Sequence, residues 1–305
     1  MSKTEPRSIA ERLPALRNDL RDASELLVCL DFDGTLAPVV DEPDDATPTP
    51  ANAAALETLA AEDSVSTAIV SGRALTDVRE RVDGPSTFVG NHGLEVERDG
   101  SLTVHPVARE RATLVEEVCS ALEVGLESIP GAAVENKRLT GTVHVRSTPP
   151  AARPLVERLT RATVDRFGDD ALELSRGKRI LELGPSVPWG KGDAVDLLQE
   201  RRSDGTYTIY VGDDVTDESA FRAVEPDGLG VRVGDDSPTT ASCRVSSPTA
   251  VATLLRWLAT VGVELLEGRT RRRSVVPTLG VPGGYAGARL GESSLSTGWT
   301  WFGEG

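Results

Sequence analysis

Two aspartates stand two residues apart near the start of the chain. Residues 31–35 read DFDGT, so Asp31 and Asp33 are followed by Gly34, which permits a sharp turn. Neighbouring carboxylates repel each other unless a cation lies between them, and such oxygen ligands suit Mg²⁺. An EF-hand loop is excluded because Leu36 would stand at its sixth position, where glycine is required. The alternative is a turn with a solvated pair of acids.

A second acidic cluster occupies residues 212–218, of sequence GDDVTDE, with four acids in six positions. So many like charges are costly without a cation, and this cluster would complete a Mg²⁺ site with Asp31. The alternative is a helix N-terminus, where acids complement the helix dipole.

Two further segments predict anion binding. Ser71-Gly72-Arg73 offers a hydroxyl and backbone N–H groups at a helix N-terminus, although a Ser-Gly helix cap is also common. Lys191 lies between Gly190 and Gly192 and is free to approach an anion; the alternative is a surface lysine in a turn. A P-loop is excluded by the glycine spacing and by Gly192, where Ser or Thr would hold the metal.

These residues follow apolar runs that predict buried strands. The runs at 25–30, 65–70 and 207–211 alternate with helical patterns, as in parallel βαβ units. Ligands bind such sheets at the carboxyl ends of the strands, so the four segments are expected to meet there.

The middle of the chain does not follow this alternation of buried strands and helices. Residues 106–182 predict helices at 108–123 and 154–166 with strands at 142–145 and 179–183, a small α+β unit. The predicted fold is therefore α/β, with a discontinuous parallel-sheet core at 1–105 and 183–265. Residues 266–305, rich in Gly, Ser, Thr and Arg, predict a flexible tail.

Composition excludes several classes of protein. The 305 residues carry a formal charge of −15, which argues against nucleic-acid or anionic-membrane partners. No apolar run of about 18 residues and no export signal is visible in the sequence. Three unevenly spaced cysteines predict neither disulfides nor a metal site and indicate a reducing compartment, so a cytoplasmic location is expected.

The motifs, in this order, resemble those of the haloacid dehalogenase-like (HAD) phosphatase superfamily and, within it, the trehalose-6-phosphate phosphatase family. The resemblance covers about residues 26–260. It implies a HAD-like Rossmannoid core with an inserted cap. The matching segments are 30–38 (LDFDGTLAP), 71–73 (SGR), 90–95 (GNHGLE), 190–192 (GKG) and 212–218 (GDDVTDE).

This resemblance implies roles for the catalytic residues. Asp31 would attack phosphorus and form an aspartyl-phosphate, and Asp33 would act as general acid and then as base. Ser71 and Lys191 would hold the phosphoryl oxygens. The Mg²⁺ ligands that it implies are Asp31, the backbone carbonyl of Asp33, Asp213 and, as further candidates, Asp214 and Asp217.

The resemblance also implies a sugar-phosphate substrate bound between core and cap. Charged side chains with several donors or acceptors suit a ligand composed almost wholly of hydroxyl groups. Val145 departs from the family, which usually has an aromatic residue there. Trp189 is expected to pack under the lysine loop. The predicted substrate-binding residues are Gly72, Arg73, Asn91, His92, Glu135, Lys137, Arg146, Lys178 and Glu182.

Several functions remain open from the sequence. The leading one is a Mg²⁺-dependent phosphatase acting on trehalose 6-phosphate, with a functional link to a trehalose-phosphate synthase. The alternatives are a phosphatase for a glucosylglycerol- or sucrose-type phosphate, a phosphomutase, and a silent sugar-phosphate sensor or synthase partner.

Lysine usage offers an independent marker of the site. Only four of the 33 cationic residues are lysine. Apart from Lys3, they are Lys137, Lys178 and Lys191, each inside a segment singled out above. A compact ammonium group suits contact with a phosphate or a sugar hydroxyl.

The acidic excess, with arginine in place of lysine, predicts adaptation to concentrated salt. We expect the melting temperature to rise from dilute buffer to molar KCl, because ions screen the self-repulsion of the surface. Thermal unfolding followed by circular dichroism measures this. The rise should shrink near pH 4.8, the sequence pI. Maximal stability in dilute buffer would contradict the hypothesis.

Overall fold

A computed structural model describes residues 3–168, 170–177 and 179–274. The strands are β1 (Arg7–Ser8), β2 (Glu25–Leu30), β3 (Val65–Val70), β4 (Thr87–Gly90), β5 (Glu95–Arg98), β6 (Ser101–Val104), β7 (Ala133–Asn136), β8 (Gly141–His144), β9 (Leu172–Gly177), β10 (Ile180–Pro185), β11 (Thr206–Gly212), β12 (Leu229–Val233) and β13 (Cys243–Val245). The α-helices are α1 (Ile9–Asp22), α2 (Pro50–Ala60), α3 (Leu75–Arg81), α4 (Pro106–Leu126), α5 (Arg153–Gly168), α6 (Lys191–Glu200), α7 (Glu218–Val224), α8 (Pro248–Trp257) and α9 (Val263–Ser274).

The larger sheet has the order β1-β13-β12-β11-β2-β3-β4-β5-β6. The first seven strands in this order, from β1 across to β4, each pair in parallel with their neighbours. Strands β5 and β6 add an antiparallel edge. Strand β2 lies near the centre, with β11 and β3 as neighbours. The predicted α/β class with a parallel sheet is confirmed.

Helices cover both faces of this sheet, which explains why β2 is continuously apolar. Leu26, Val28 and Leu30 face the core that contains residues of α1, α2 and α8. Leu27 and Cys29 face the opposite core, with Leu198 of α6 among their neighbours. Because successive side chains alternate between faces, a strand buried on both sides needs apolar residues at every position.

The smaller sheet is antiparallel, of order β7-β8-β10-β9. Together with α4 and α5 it forms what we call the insert (106–185), with its own apolar core around Val118, Leu122 and Val156. Strand β10 crosses the boundary expected at residue 182 and ends at Pro185. The division into core and cap domains stays a prediction.

The sequence patterns do not predict several elements, among them β7, β9, β13 and α6. Strands β7 and β9 have mostly exposed or partly exposed residues, and β13 has three residues, so they carry little apolar signal. Helix α6 begins at Lys191, inside the glycine-rich segment 190–192 for which the sequence predicts a turn or loop.

The predicted flexible tail began at residue 266, whereas α9 continues to Ser274 and Leu266 is buried in the core. The rest of that predicted tail, 275–305, lies outside the described residues. The helical stretch Pro248–Gly268, which includes Arg256 and Glu264, is long and apolar enough to cross a membrane by length and composition alone. Half of it is buried inside the fold, and core helices of soluble proteins meet the same two criteria.

Buried Asn52 ties the turn after Asp33 to α8. Its amide donates to the carbonyl oxygens of Leu36 (2.8 Å) and Pro248 (3.0 Å). Asn52→Ala should lower the free energy of unfolding by about 1–3 kcal/mol, because buried carbonyls lose their donor. Urea denaturation measures the loss. The control is Asn18→Ala, at an exposed position, which should change it by less than about 0.5 kcal/mol. Equal effects would contradict the expectation.

Candidate active site

The predicted chemical residues meet at one edge of the larger sheet. Asp31 follows β2, Ser71 follows β3, Asn91 follows β4 and Asp213 follows β11. These four strands are adjacent and parallel, so their carboxyl ends open into one cleft.

Lys191 lies between two carboxylates at the base of the cleft. Its Nζ donates to Asp31 Oδ1 and to Asp217 Oδ1, each at 2.8 Å. Tyr210 also donates its hydroxyl to Asp217 Oδ1 at 2.7 Å. Burial alone would lower the pKa of Lys191, but the charges of Asp217 and Asp31 outweigh it and raise the pKa above its ordinary value. Lys191 is therefore a buried, fully charged ammonium group.

Burial raises the pKa of Asp31 well above its ordinary value; Lys191 opposes this shift, while the charges of Asp217 and Asp213 add to it. Additional positive charge in the cluster would therefore lower the pKa of Asp31 and favour its ionised form.

A divalent cation fits the donor set. Oxygens of Asp31, Asp213 and Asp217 lie within 4.8 Å of one another. These three carboxylates and the ammonium of Lys191 leave two negative charges, which one divalent cation would balance. Hard oxygen donors suit Mg²⁺. Gly34 brings its turn against this group: it has φ +79°, and a Cβ on it would lie 2.3 Å from Asp213 Oδ2.

Asp214 lies outside this three-carboxylate group, although it was predicted as a ligand. Among the described residues, the group contains Asp217 in its place. The backbone N–H of Asp214 instead donates to Asp217 Oδ2 at 2.8 Å. Asp217, which the resemblance implies only as a further candidate ligand, is fully buried. The turn after β11 places its carboxylate against the end of that strand.

Asp33 is not part of this three-carboxylate group and pairs with Arg73. Nε and Nη2 of Arg73 lie 2.7 and 2.8 Å from its two oxygens. The remaining nitrogen, Nη1, donates to Asp77 Oδ2 at 2.8 Å. Burial would lower the pKa of Arg73, but Asp33 and Asp77 outweigh it and raise the pKa. Arg73, predicted to bind substrate, is thus engaged by the core's own acids.

Ser71 is buried at the end of β3. Its Oγ accepts the backbone N–H of Arg73 at 3.1 Å. The next residue, Gly72, approaches His92 closely, since a Cβ on it would lie 2.4 Å from the imidazole Cε1. A larger residue at position 72 would displace His92.

Asn91 belongs to a buried network that joins the core to the insert. Its amide donates to Glu95 Oε1 (2.6 Å), and its Oδ1 accepts from Thr140 (2.5 Å). Arg138 donates to the other oxygen of Glu95 at 2.6 Å. Glu95 lies in the segment 90–95 but is not among the predicted site residues; the signal in the sequence that could identify it is an acid close to the end of an apolar strand. The side chain of Asn91 is thus committed to Glu95 and Thr140.

The insert places charged side chains over the core. Lys137 Nζ donates to the carbonyl of Gly72 at 3.1 Å and lies 3.7 Å from Glu182. Glu182 Oε1 lies 3.1 Å from His92 Nε2. Burial would raise the pKa of Glu182, but His92 and Lys137 outweigh it and lower the pKa to about 2. Glu182 is therefore ionised across the physiological range.

The other predicted insert residues are more dispersed. Glu135 pairs with His144 at 2.9 Å. Burial opposes ionisation of Glu135, yet His144, Lys137 and Arg73 together lower its pKa. Arg146 pairs with exposed Asp41 of the core at 2.8 Å. Lys178 lies outside the described residues.

A cavity of about 340 Å³ extends from Lys191, His92 and Glu182 between core and insert. Trp189 lines it and donates its indole N–H to the carbonyl of Gly93 at 2.8 Å. Its ring also packs near His105, 5.0 Å between centroids. The cavity provides polar groups on both walls.

Lys191→Met should lower the free energy of unfolding by about 3–5 kcal/mol in EDTA, because it leaves buried carboxylates unpaired. Added MgCl₂ should restore part of the loss, since a cation would neutralise the same carboxylates. Urea denaturation with and without MgCl₂ measures both. Arg79→Met is the control: Arg79 is 59% exposed and pairs with Glu97, so its loss should stay within about 1 kcal/mol. A comparably small loss for Lys191→Met would contradict the expectation.

The chain is similar to known proteins over most of its length. The trehalose-phosphatase family model matches residues 29–249. The trehalose-phosphate phosphatase of Mycobacterium ulcerans (strain Agy99) is 39% identical over 235 residues, which cover 74% of this chain and 59% of that protein. The chain thus spans about 59% of the length of this curated relative.

Two solved structures share the fold. The C-terminal domain of Candida albicans trehalose-6-phosphate phosphatase covers 84% of this chain and 98% of that chain, with TM-score 0.69 and 23% identity. A haloacid dehalogenase-like hydrolase from Bacteroides thetaiotaomicron covers 77% of this chain and 99% of that chain, with TM-score 0.54 and 15% identity. The expected HAD-like fold is confirmed. The extent of the family match, together with the M. ulcerans relative, shows that this chain belongs to the trehalose-phosphatase family.

Proposed function

We propose that this chain is a Mg²⁺-dependent phosphatase that hydrolyses trehalose 6-phosphate to trehalose and phosphate through an aspartyl-phosphate. The observation that carries the proposal is the position of Asp31, held by Lys191 beside Asp213 at the end of β2. The family membership supports the reaction class, and the relatives' printed names support the substrate.

Asp31 is the proposed nucleophile. One of its oxygens attacks phosphorus, the bond from phosphorus to the sugar oxygen breaks, and that oxygen takes a proton from Asp33. A water molecule then attacks the phosphoryl group on Asp31 and gives a proton to Asp33. Phosphate leaves, and Asp31 returns to its starting form.

Lys191 and Ser71 are proposed to hold the phosphoryl oxygens. Both are buried, so their donors act in a low-dielectric site and need little reorganisation during the reaction. Asp31, the Asp33 carbonyl and Asp213 would hold Mg²⁺, with Asp217 or Asp214 beside them. The bound ion would neutralise the carboxylates and the phosphoryl charge.

The insert is proposed to act as a cap that recognises the sugar and excludes water during attack. Glu182, Lys137 and His92 already face one another across the opening. Glu135, Arg146 and Lys178 would complete the set, with Gly72 and Asn91 shaping the core side. The alternative substrates remain glucosylglycerol- and sucrose-type phosphates.

We also infer a cytoplasmic enzyme that consumes the product of a trehalose-phosphate synthase. All three cysteines are unpaired and buried, which supports a reducing compartment.

Phosphate release from trehalose 6-phosphate should require MgCl₂ and cease in EDTA. Asp31→Asn should lower kcat by at least about 10³-fold, because the amide cannot form the acyl-phosphate, while circular dichroism shows an intact fold. Asp45→Asn, at an exposed acid of the loop that follows Asp33, is the control and should leave kcat unchanged. Retained turnover in Asp31→Asn would remove Asp31 from the nucleophile role.

A substrate panel separates the candidate functions in the same assay. Higher kcat/KM for sucrose- or glucosylglycerol-type phosphates would overturn the substrate assignment. Phosphate released in stoichiometric amount excludes a phosphomutase, and any turnover excludes a silent sensor.

A further inference from the structure

We propose that Arg73 is a positioning residue that fixes the carboxylate of Asp33 for proton transfer, and not a substrate-binding residue. The inference rests on the proposed function, in which Asp33 is the general acid. Its basis is a planar fork: Nε and Nη2 of Arg73 donate to the two oxygens of Asp33 at 2.7 and 2.8 Å. Such a pair fixes both the position and the plane of a carboxylate; when Asp33 carries the proton that it donates, the protonated oxygen gives up its N–H donor and the other oxygen keeps its bond to Arg73.

Asp33 needs an external partner to be held in place. Its side chain is 45% exposed and lies in the turn that follows β2. Asp31, by contrast, is buried and held by Lys191. An exposed aspartate samples several rotamers, and proton transfer requires the carboxyl group to be within hydrogen-bond reach of the leaving oxygen. Arg73 supplies the constraint that burial does not.

Arg73 is itself anchored at every side-chain nitrogen. Nη1 donates to Asp77 on α3, and Nη2 also donates to the carbonyl of Pro43, each at 2.8 Å. The guanidinium lies over the ring of Phe32, 5.1 Å from its centroid. Its side chain is 11% exposed. With these partners, the guanidinium of Arg73 has few N–H groups left to bind a sugar or a phosphate.

Arg73 also links the two halves of the proposed chemistry. Its backbone N–H donates to Ser71 Oγ, the proposed phosphoryl ligand, while its side chain holds Asp33. One residue, in the turn between β3 and α3, thus relates the proposed phosphoryl-binding hydroxyl to the proposed proton donor.

The choice of leaving group determines whether hydrolysis depends on proton transfer from Asp33. When the bond from phosphorus to the sugar oxygen breaks, the electron pair goes to a poorly stabilised alkoxide, which takes a proton from Asp33. p-Nitrophenol leaves as a stable anion and needs no proton. Because kcat/KM covers the steps up to the first irreversible one, comparing it for the two phosphate esters isolates the acid role of Asp33 from its later role as base.

In MgCl₂, Arg73→Gln should lower kcat/KM for trehalose 6-phosphate about 10–100-fold, part of the full general-acid contribution. For p-nitrophenyl phosphate the loss should be small. Asp33→Asn should show the same pattern. The double variant should be no worse than Asp33→Asn alone, because Arg73 acts through Asp33.

Arg81→Gln is the matched control. Arg81 lies on α3, the helix that follows Arg73, and also pairs with Asp77, at 2.7 Å, but its hydrogen bonds go to Asp77 and to the carbonyls of Asp44 and Ala46 and not to Asp33. It should leave both substrates unaffected. If Arg73→Gln fails to fold, Arg73→Lys serves instead, since it keeps the charge and loses the fork.

Equal losses on both esters, an additive double variant, or a raised KM for trehalose 6-phosphate with unchanged kcat would each overturn the proposal. Unchanged kcat/KM on both esters would do so as well. Failure of the proposed function is distinguishable, because it appears in the wild type as absent Mg²⁺-dependent phosphate release.

Discussion

The ammonium group of Lys191, buried between Asp31 and Asp217, is the interaction on which the rest of the site depends. A charge that is 3% exposed is tolerated only with matched partners, so α6 must begin where its first side chain reaches both carboxylates. The next residue must then be glycine, because a Cβ on Gly192 would lie 2.6 Å from the carbonyl oxygen of Ser219. The packing of α6 against α7 and the position of Asp31 are thus set by one electrostatic requirement.

The contacts between insert and core are of a different kind. Lys137 to Gly72, Glu182 to His92 and Thr140 to Asn91 are all polar and surround the same opening. A polar contact contributes only about 1 kcal/mol net, because water can replace either partner. Sugar hydroxyls can replace them for the same reason. The surface that holds the insert to the core is therefore chemically suited to exchange its partners for a sugar.

The sequence could predict the strands buried on both faces and the residues at their ends. Strands β2 and β3 have the expected bounds because continuous apolar character has few alternatives. The exposed strand β7 carries little apolar signal, and the three-residue strand β13 pairs with β1, a partner distant in sequence that no local pattern contains. Side chains are subject to the same limit. The sequence motifs single out Asp33 and Arg73 as candidate site residues, but only the fold shows that the two side chains face each other.

The division of labour between lysine and arginine follows from these geometries. Arginine occupies places where a planar fork meets a carboxylate, as Arg73 does at Asp33. Lys191 instead meets two carboxylates from different directions, which a rotatable ammonium satisfies and a planar group does not. Lys137 likewise reaches a carbonyl and a carboxylate at once. A chain that can use arginine for nearly all of its positive charge still needs lysine where one cation must serve several non-coplanar oxygens, and a phosphoryl group presents such a set.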